Sequence, residues 1–259
     1  MKQLGVALIA STLLVGVAAA ADMPVKAPIV DPWNWNGYYV GANVGYSFGR
    51  SATDATFSAP PLATQSSSSS FNMNGWLGGL QIGRNWQNNN FVWGIEADIQ
   101  VAGQKGDSNL SCGASLCTTS TFVAGPVISA NPYSQKLDWF GTARLRGGIT
   151  ITPTILTYLT GGLAWGHIKT DGVLNGYSAG AAVSAPFSNS TTKFGWTIGA
   201  GIEGRVSGNW TAKLEYLYMD LGRVDTTATL PTNAPPLTAN FSSKITDNIV
   251  RVGLNYKFN

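Results

Sequence analysis

The chain is poor in histidine, cysteine and charge: it has one histidine and two cysteines, and Asp, Glu, Lys and Arg make up only 11% of its 259 residues. Each scarcity removes a class of function. Chemistry built on an activated nucleophile needs a base, commonly histidine, held beside an orienting carboxylate, and His167 stands alone. No HExxH or P-loop spacing occurs, so neither enzymatic activity nor a cofactor is expected. Cys112 and Cys117 are too few ligands for a zinc site. In an exported chain a disulfide across the short intervening loop is the expectation for this pair. The formal charge of +3, one less without Lys2, is too small to imply nucleic acid as a partner.

Long apolar runs are also missing beyond residue 21. Residues 1–21 combine Lys2, an apolar run from Leu4 to Val17 and a close in Ala18, Ala19, Ala20 and Ala21, the three-part build of a secretory signal peptide. The run is shorter than the roughly 18 residues of a spanning helix, and nothing later could cross a membrane as a helix. What is abundant is glycine, at 31 residues, with nine Trp, nine Tyr and ten Phe, a composition of strands and turns rather than helices. Residues 22–36, with Pro24, Pro28 and Pro32, read as a flexible Pro-rich periplasmic segment, and residues 37–259 as the folded domain.

Eight segments alternate with the two-residue period of a strand: 37–48, 74–87, 91–102, 135–149, 155–168, 193–206, 210–221 and 249–258. In the last, Val250, Val252, Leu254, Tyr256 and Phe258 oppose Arg251, Gly253, Asn255 and Lys257. In the fourth, Leu137, Trp139, Ala143, Leu145 and Ile149 oppose Asp138, Thr142, Arg144 and Arg146. The fifth is broken by glycine and its facing is ambiguous, although Leu159, Leu163 and Trp165 can share a side. Three connections are short, at 88–90, 150–154 and 207–209, and four are long, at 49–73, 103–134, 169–192 and 222–244. Short turns at one end and long loops at the other are the asymmetry of outer-membrane barrels, with turns in the periplasm and loops outside. The expected fold is therefore all-β, an eight-stranded antiparallel up-and-down transmembrane barrel with four long extracellular loops.

Cost decides which face meets lipid. A Lys or Arg on the lipid face near the midplane costs about 2–4 kcal/mol, whereas in the lumen it can find a counter-charge. Glu96, Asp98, Asp138, Arg144, Arg146, Glu203, Arg205, Lys213, Glu215, Arg251 and Lys257 all fall opposite the apolar row. The exceptions, Arg84 and Asp220, lie near segment ends. A soluble lipocalin-like barrel would place the apolar row inside instead; the long loops and the aromatics near segment ends argue against it.

An eight-stranded barrel is just wide enough for side chains to fill. A hairpin symmetric about Gly208 sets Glu203 opposite Lys213, and Glu96, Asp98, Arg144, Arg146, Arg205, Glu215 and Arg251 are expected to join them in a lumen charge network. One reading is a satisfied ion-pair core, because an unpaired buried charge costs several kcal/mol. The other is a gate whose pairs exchange to open a narrow ion path.

The stretches WNGYYVGANVGYSFG at 35–49, LDWFGTARLRGGI at 137–149, YLTGGLAWG at 158–166, GWTIGAGIEGRVSGNWTAKLEYLYMDLG at 195–222 and the closing VRVGLNYKF resemble the outer-membrane immunogenic proteins, or surface antigens, of alpha-proteobacteria. The resemblance spans almost the whole mature chain. It implies an abundant porin-family barrel in the cell outer membrane that supports envelope integrity and meets the outside through its loops; a narrow channel for ions or small solutes is the alternative. Its implied partners are outer-membrane lipid and lipopolysaccharide, and the barrel assembly machinery acting on the C-terminal strand. Members of that family tend to end on the aromatic itself, whereas Asn259 follows Phe258 here. The family is distantly similar to the transmembrane half of OmpA, which carries a separate peptidoglycan-gripping domain; with the sequence ending at the last strand, direct wall anchoring is not expected.

Overall fold

The computed structural model describes residues 33–58, 64–111, 128–178, 181–231 and 237–258. The signal-peptide residues, most of the expected leader, and both Cys112 and Cys117 lie outside this range. Eight strands follow one another: β1 (Gly37–Ser58), β2 (Gln65–Asn88), β3 (Phe91–Ser111), β4 (Ile128–Thr152), β5 (Ile155–Ser178), β6 (Ala181–Ser207), β7 (Trp210–Leu230) and β8 (Leu237–Lys257). Each pairs antiparallel with its neighbour, and β1 pairs with β8 to close the ring. The turns at one end hold two residues each, 89–90, 153–154 and 208–209. Asn89 and Gly208 take positive φ of 53° and 51°, as the first central residue of the commonest two-residue hairpin turns does.

The strands are 21–27 residues long, yet a tilted strand crosses the hydrocarbon in about 9–11 residues. About half of each strand therefore extends beyond the bilayer, on the side away from the short turns. The expected long loops are the main difference from the sequence reading. Most of 49–73, 103–134, 169–192 and 222–244 is strand, leaving only 59–64, 112–127, 179–180 and 231–236 between strand ends. Ladder pairing continues outward at six of the eight interfaces, from Arg50↔Asn72 up to Phe57↔Gln65, for example, but stops at Asn74↔Lys105 between β2 and β3 and at Trp196↔Asp220 between β6 and β7.

The side-chain pattern inverts where the barrel leaves the lipid. Near the short turns the outer surface is apolar: Val40, Leu80, Ile95, Leu145, Leu163, Ile198, Leu214 and Val252 are exposed on it. Cross-strand aromatic pairs mark its two borders, with Trp86 stacked on Trp93 at 4.3 Å and Trp210 against Tyr256 at one, and Tyr46 against Trp76 and Trp196 against Tyr218 at the other. Aromatics belong at such borders because their rings are apolar and their edges polar. Arg84 sits in the first border, its guanidinium over Tyr38 and Trp86 and hydrogen-bonded to the Tyr38 hydroxyl. Farther along, the outer surface meets water, and the apolar side chains turn inward. Phe57, Leu110, Tyr133, Leu174, Leu230 and Phe241 form a buried core there, with Phe71 and Phe187 packed against it. Burial of such surface supplies about 25 cal/mol per Å².

Two bulges carry strands across this inversion. β4 shifts register between Leu137 and Trp139, so Leu137 is buried inside while Asp138 is exposed outside. This corrects the facing expected for both residues: the extra residue swaps the parity of every position beyond it. β7 does the same between Asp220 and Gly222, where the Asp220 carboxylate accepts from the Gly222 amide at 2.8 Å and pairs with Lys244 at 3.2 Å.

Phe241 touches the rings of Phe57, Tyr133 and Phe187, so Phe241→Ala is expected to cost about 3–5 kcal/mol locally. Amide hydrogen exchange should quicken in the outer halves of the strands and stay slow in the lipid-embedded halves. Equal acceleration along whole strands would contradict the layered packing.

Candidate functional site

The lumen at the level of the lipid holds a cluster of buried charges. β3 supplies Glu96 and Asp98, β4 Arg144 and Arg146, β6 Glu203, β7 Lys213 and Glu215, and β8 Arg251. All face inward by the two-residue period and all are buried. Four acids meet four bases, so the cluster is formally neutral. Register brings several together at once: Glu96↔Arg144, Glu203↔Lys213 and Glu215↔Arg251 are directly opposed across strand pairs.

Glu96 is the hub. It pairs with Arg144, with Lys213 Nζ at 3.0 Å, and with Arg146 and Arg251 at 3.6 Å each. Arg251 donates to Glu215 at 2.6 Å and Asp98 at 3.1 Å, while Arg144 reaches Asp98 at 2.8 Å and Glu215 at 3.2 Å. Arg146 pairs with Glu203 at 2.7 Å. Glu203 and Lys213 are therefore opposed in register, as the hairpin symmetry implies, but each takes its ion partner across the lumen. At these separations in a medium of low dielectric the attraction between opposite charges is several-fold stronger than in water, which offsets the cost of drying them.

Neutral side chains donate further hydrogen bonds to the acids of the cluster. The Tyr39 hydroxyl donates to Glu96 at 2.7 Å, Tyr158 to Glu215 at 2.8 Å, Thr142 to Asp98 at 2.7 Å, Thr211 to Glu203 at 2.5 Å and Asn255 to Glu203 at 2.7 Å. The Arg146 guanidinium also lies over the Tyr158 ring at 3.9 Å. Sequence reasoning missed the two tyrosines. Tyr39 is hidden beside the outward-facing Tyr38, and Tyr158 lies in the segment of ambiguous facing. A signal was present in the glycines: a Cβ on Gly83 would meet the Tyr39 ring at 2.3 Å, and one on Gly201 the Tyr158 ring at 2.6 Å. Interior glycines leave room for the long side chains of facing strands.

Arg205 does not join the cluster, contrary to expectation. It is exposed at the short-turn end, donates to the Gly208 carbonyl at 2.9 Å and lies over the Trp33 ring at 4.7 Å, because it sits beside the hairpin where the lumen opens to water. The leader reading also changes at its end. Trp33–Asn36 pack into this mouth: Trp35 is buried, its amide donates to Gln87 Oε1 at 2.7 Å and its indole to the Pro153 carbonyl at 3.2 Å, and Lys257 donates to the Asn34 carbonyl at 2.6 Å. Trp35, Val92, Leu156 and Tyr158 make an apolar layer on this side of the charges. Met73, Leu77, Leu137, Phe140, Leu217, Met219 and Ile249 belong to another on the opposite side.

A closed ring of eight strands with an apolar belt, aromatic borders and a charged interior is the build of an outer-membrane β-barrel, and residues 7–258 match the family model described as outer membrane protein beta-barrel domain. The chain belongs to that family and is an outer-membrane protein. Its relatives include the 31 kDa outer-membrane immunogenic protein of Brucella melitensis biotype 1, 37% identical over 246 residues covering 93% of this chain and 91% of the relative. The 22 kDa outer membrane protein of Rhizobium leguminosarum bv. viciae is 28% identical over 234 residues, covering 90% of this chain and 82% of the relative. These relatives are named as outer-membrane proteins, not as enzymes. Among solved structures, OprG from Pseudomonas aeruginosa aligns over 88% of this chain and 99% of its own with 11% identity and a TM-score of 0.47. Ail of Yersinia pestis aligns over 86% and 99% with 13% identity and a TM-score of 0.36.

Glu96→Gln keeps the shape of the hub and leaves one positive charge in excess. It is expected to destabilise the folded barrel by about 3–5 kcal/mol, read as a lower urea midpoint in phospholipid vesicles. Arg205→Gln, at an exposed position, should cost less than about 1 kcal/mol. Equal effects would contradict the separation of Arg205 from the cluster.

Proposed function

We propose that this protein is a structural barrel of the outer membrane that supports envelope integrity and presents its outer end as an antigenic surface, with a lumen closed to solutes. The observation that carries this reading is the neutral cluster around Glu96, stacked between two apolar layers. An ion path through it would have to part several pairs together and leave charges unpaired in a dry interior, at several kcal/mol each. The aromatic end of β8 at Phe258 serves as the segment by which the barrel assembly machinery takes up the chain. No catalytic role is assigned, because the acids of the cluster are engaged by cations and the single histidine lies apart from them, near Thr192 and stacked on Trp139.

Single-channel recording in planar bilayers tests the closed lumen. The refolded protein should show silence or rare flickers, and Lys213→Ala, which removes one cation from Glu96, should raise the frequency of brief openings or loosen the barrel to heat. Steady open levels in the unsubstituted protein would overturn the closed reading in favour of a narrow channel for ions or small solutes.

A further inference from the structure

The outer surface just beyond the lipid belt carries its charges in two tiers. Lys105, Lys136 and Lys169 lie directly opposite one another on β3, β4 and β5. One rung farther from the lipid the same strands carry Asp107, Ser134 and Asp171, again in register. The other side of the barrel repeats the order. Arg223 and Lys244 are opposed on β7 and β8, and one rung farther out Asp225, Ser242 and Asp54 run across β7, β8 and β1. Cations thus occupy the tier facing the membrane and carboxylates the tier away from it.

The lysine row is the more exceptional of the two. Like charges directly opposed across strands are destabilising unless something neutralises them. Lys105 reaches Asp107 at 3.2 Å and Lys169 reaches Asp171 at 3.7 Å, partners that lie on the outer tier. The acids of that tier are also held by serines, as in Ser188 to Asp171 at 2.6 Å and Ser242 to Asp225 at 2.7 Å. Lys136, in the centre with a lysine on either side, makes no ion pair among the described residues, and Asp138 in the neighbouring bulge makes none with any of the three. On the membrane side of the row stand Trp139 and His167, stacked at 5.9 Å on the outer face at the border of the apolar belt.

We propose that Lys105, Lys136 and Lys169 form a seat for the phosphate groups of the glycolipid in the outer leaflet, with Trp139 and His167 against its upper acyl region. The inference rests on the outer-membrane placement of the barrel and deepens it by naming the partner chemistry; it is independent of whether the lumen conducts. Three ammonium groups in one cross-strand row match a phosphorylated headgroup layer, and lysine near such a surface contributes favourably in proportion to the number of charges. The outward carboxylates, set one rung farther off, avoid repelling the same phosphates.

The full mature protein, refolded into phosphatidylcholine vesicles containing lipopolysaccharide, provides the test. Lipopolysaccharide retained after extraction into mild detergent is measured by native mass spectrometry. Lys105→Gln/Lys136→Gln/Lys169→Gln should lower apparent affinity by about tenfold or more, the corresponding triple change to Arg should keep it, and the single Lys136→Gln should lower it by a smaller factor. Heat-dependent gel mobility verifies that each variant is folded, and conductance should be unchanged. Removing the phosphates from the lipopolysaccharide should weaken binding to the unsubstituted protein as strongly as the triple change to Gln. Unaltered retention by the folded triple-Gln variant, or equal binding of intact and dephosphorylated lipopolysaccharide, would overturn the proposal.

Discussion

The barrel depends on one electrostatic constraint: charges removed from water at the level of the lipid must neutralise one another within a few ångströms. With no net charge among Glu96, Asp98, Glu203, Glu215, Arg144, Arg146, Lys213 and Arg251, the interior can be polar without a wide aqueous space. The same constraint explains the glycines and the tyrosines. The rings of Tyr39 and Tyr158 reach into the lumen only because the facing positions Gly83 and Gly201 lack a Cβ, and their hydroxyls add hydrogen bonds to the Glu96 and Glu215 carboxylates.

Beyond the lipid the solvent changes, and the strands change with it. The same chain that places Val250, Val252 and Leu254 outward places Phe241 and Ile245 inward a few residues earlier. A lipid-facing barrel thus continues on the same strands into two water-facing sheets, β3–β4–β5–β6 and β7–β8–β1–β2, with an apolar interior between them. The bulges at Asp138 and Asp220 sit near the junction, where β4 and β7 shift their inward parity by one residue.

The membrane half was legible because lipid imposes a strong contrast: aromatic and branched residues on one parity, charges and glycine on the other. That contrast revealed the eight strands, the lipid face and the opposition of Glu203 with Lys213. The outer half was not legible because Ser, Thr and Ala dilute the pattern. The run Ser66–Ser70 reads as solvated loop, although it pairs along β1 through Ser70↔Ala52 to Ser66↔Thr56. The fate of Asp138 could not be read because a single inserted residue leaves no compositional mark, and Leu137 is apolar on either face. Arg205 shared the parity of the lumen residues, but parity does not record height, and at the mouth it meets water and Trp33. Trp33 and Trp35 stood in a Pro-rich stretch without periodicity, so their packing against Gln87, Lys257 and Pro153 depends on tertiary contacts alone.

The central claim is that the buried charges act as one neutral unit, and a double-mutant cycle on Arg251 and Glu215 tests it most directly. Unfolding by urea in phospholipid vesicles would be measured for Arg251→Met, Glu215→Met and the pair. Each single change strands an opposite charge, so the double variant should be less destabilised than the sum of the singles by about 2 kcal/mol or more. Additive losses would contradict the account, because the two residues would then stabilise the barrel independently.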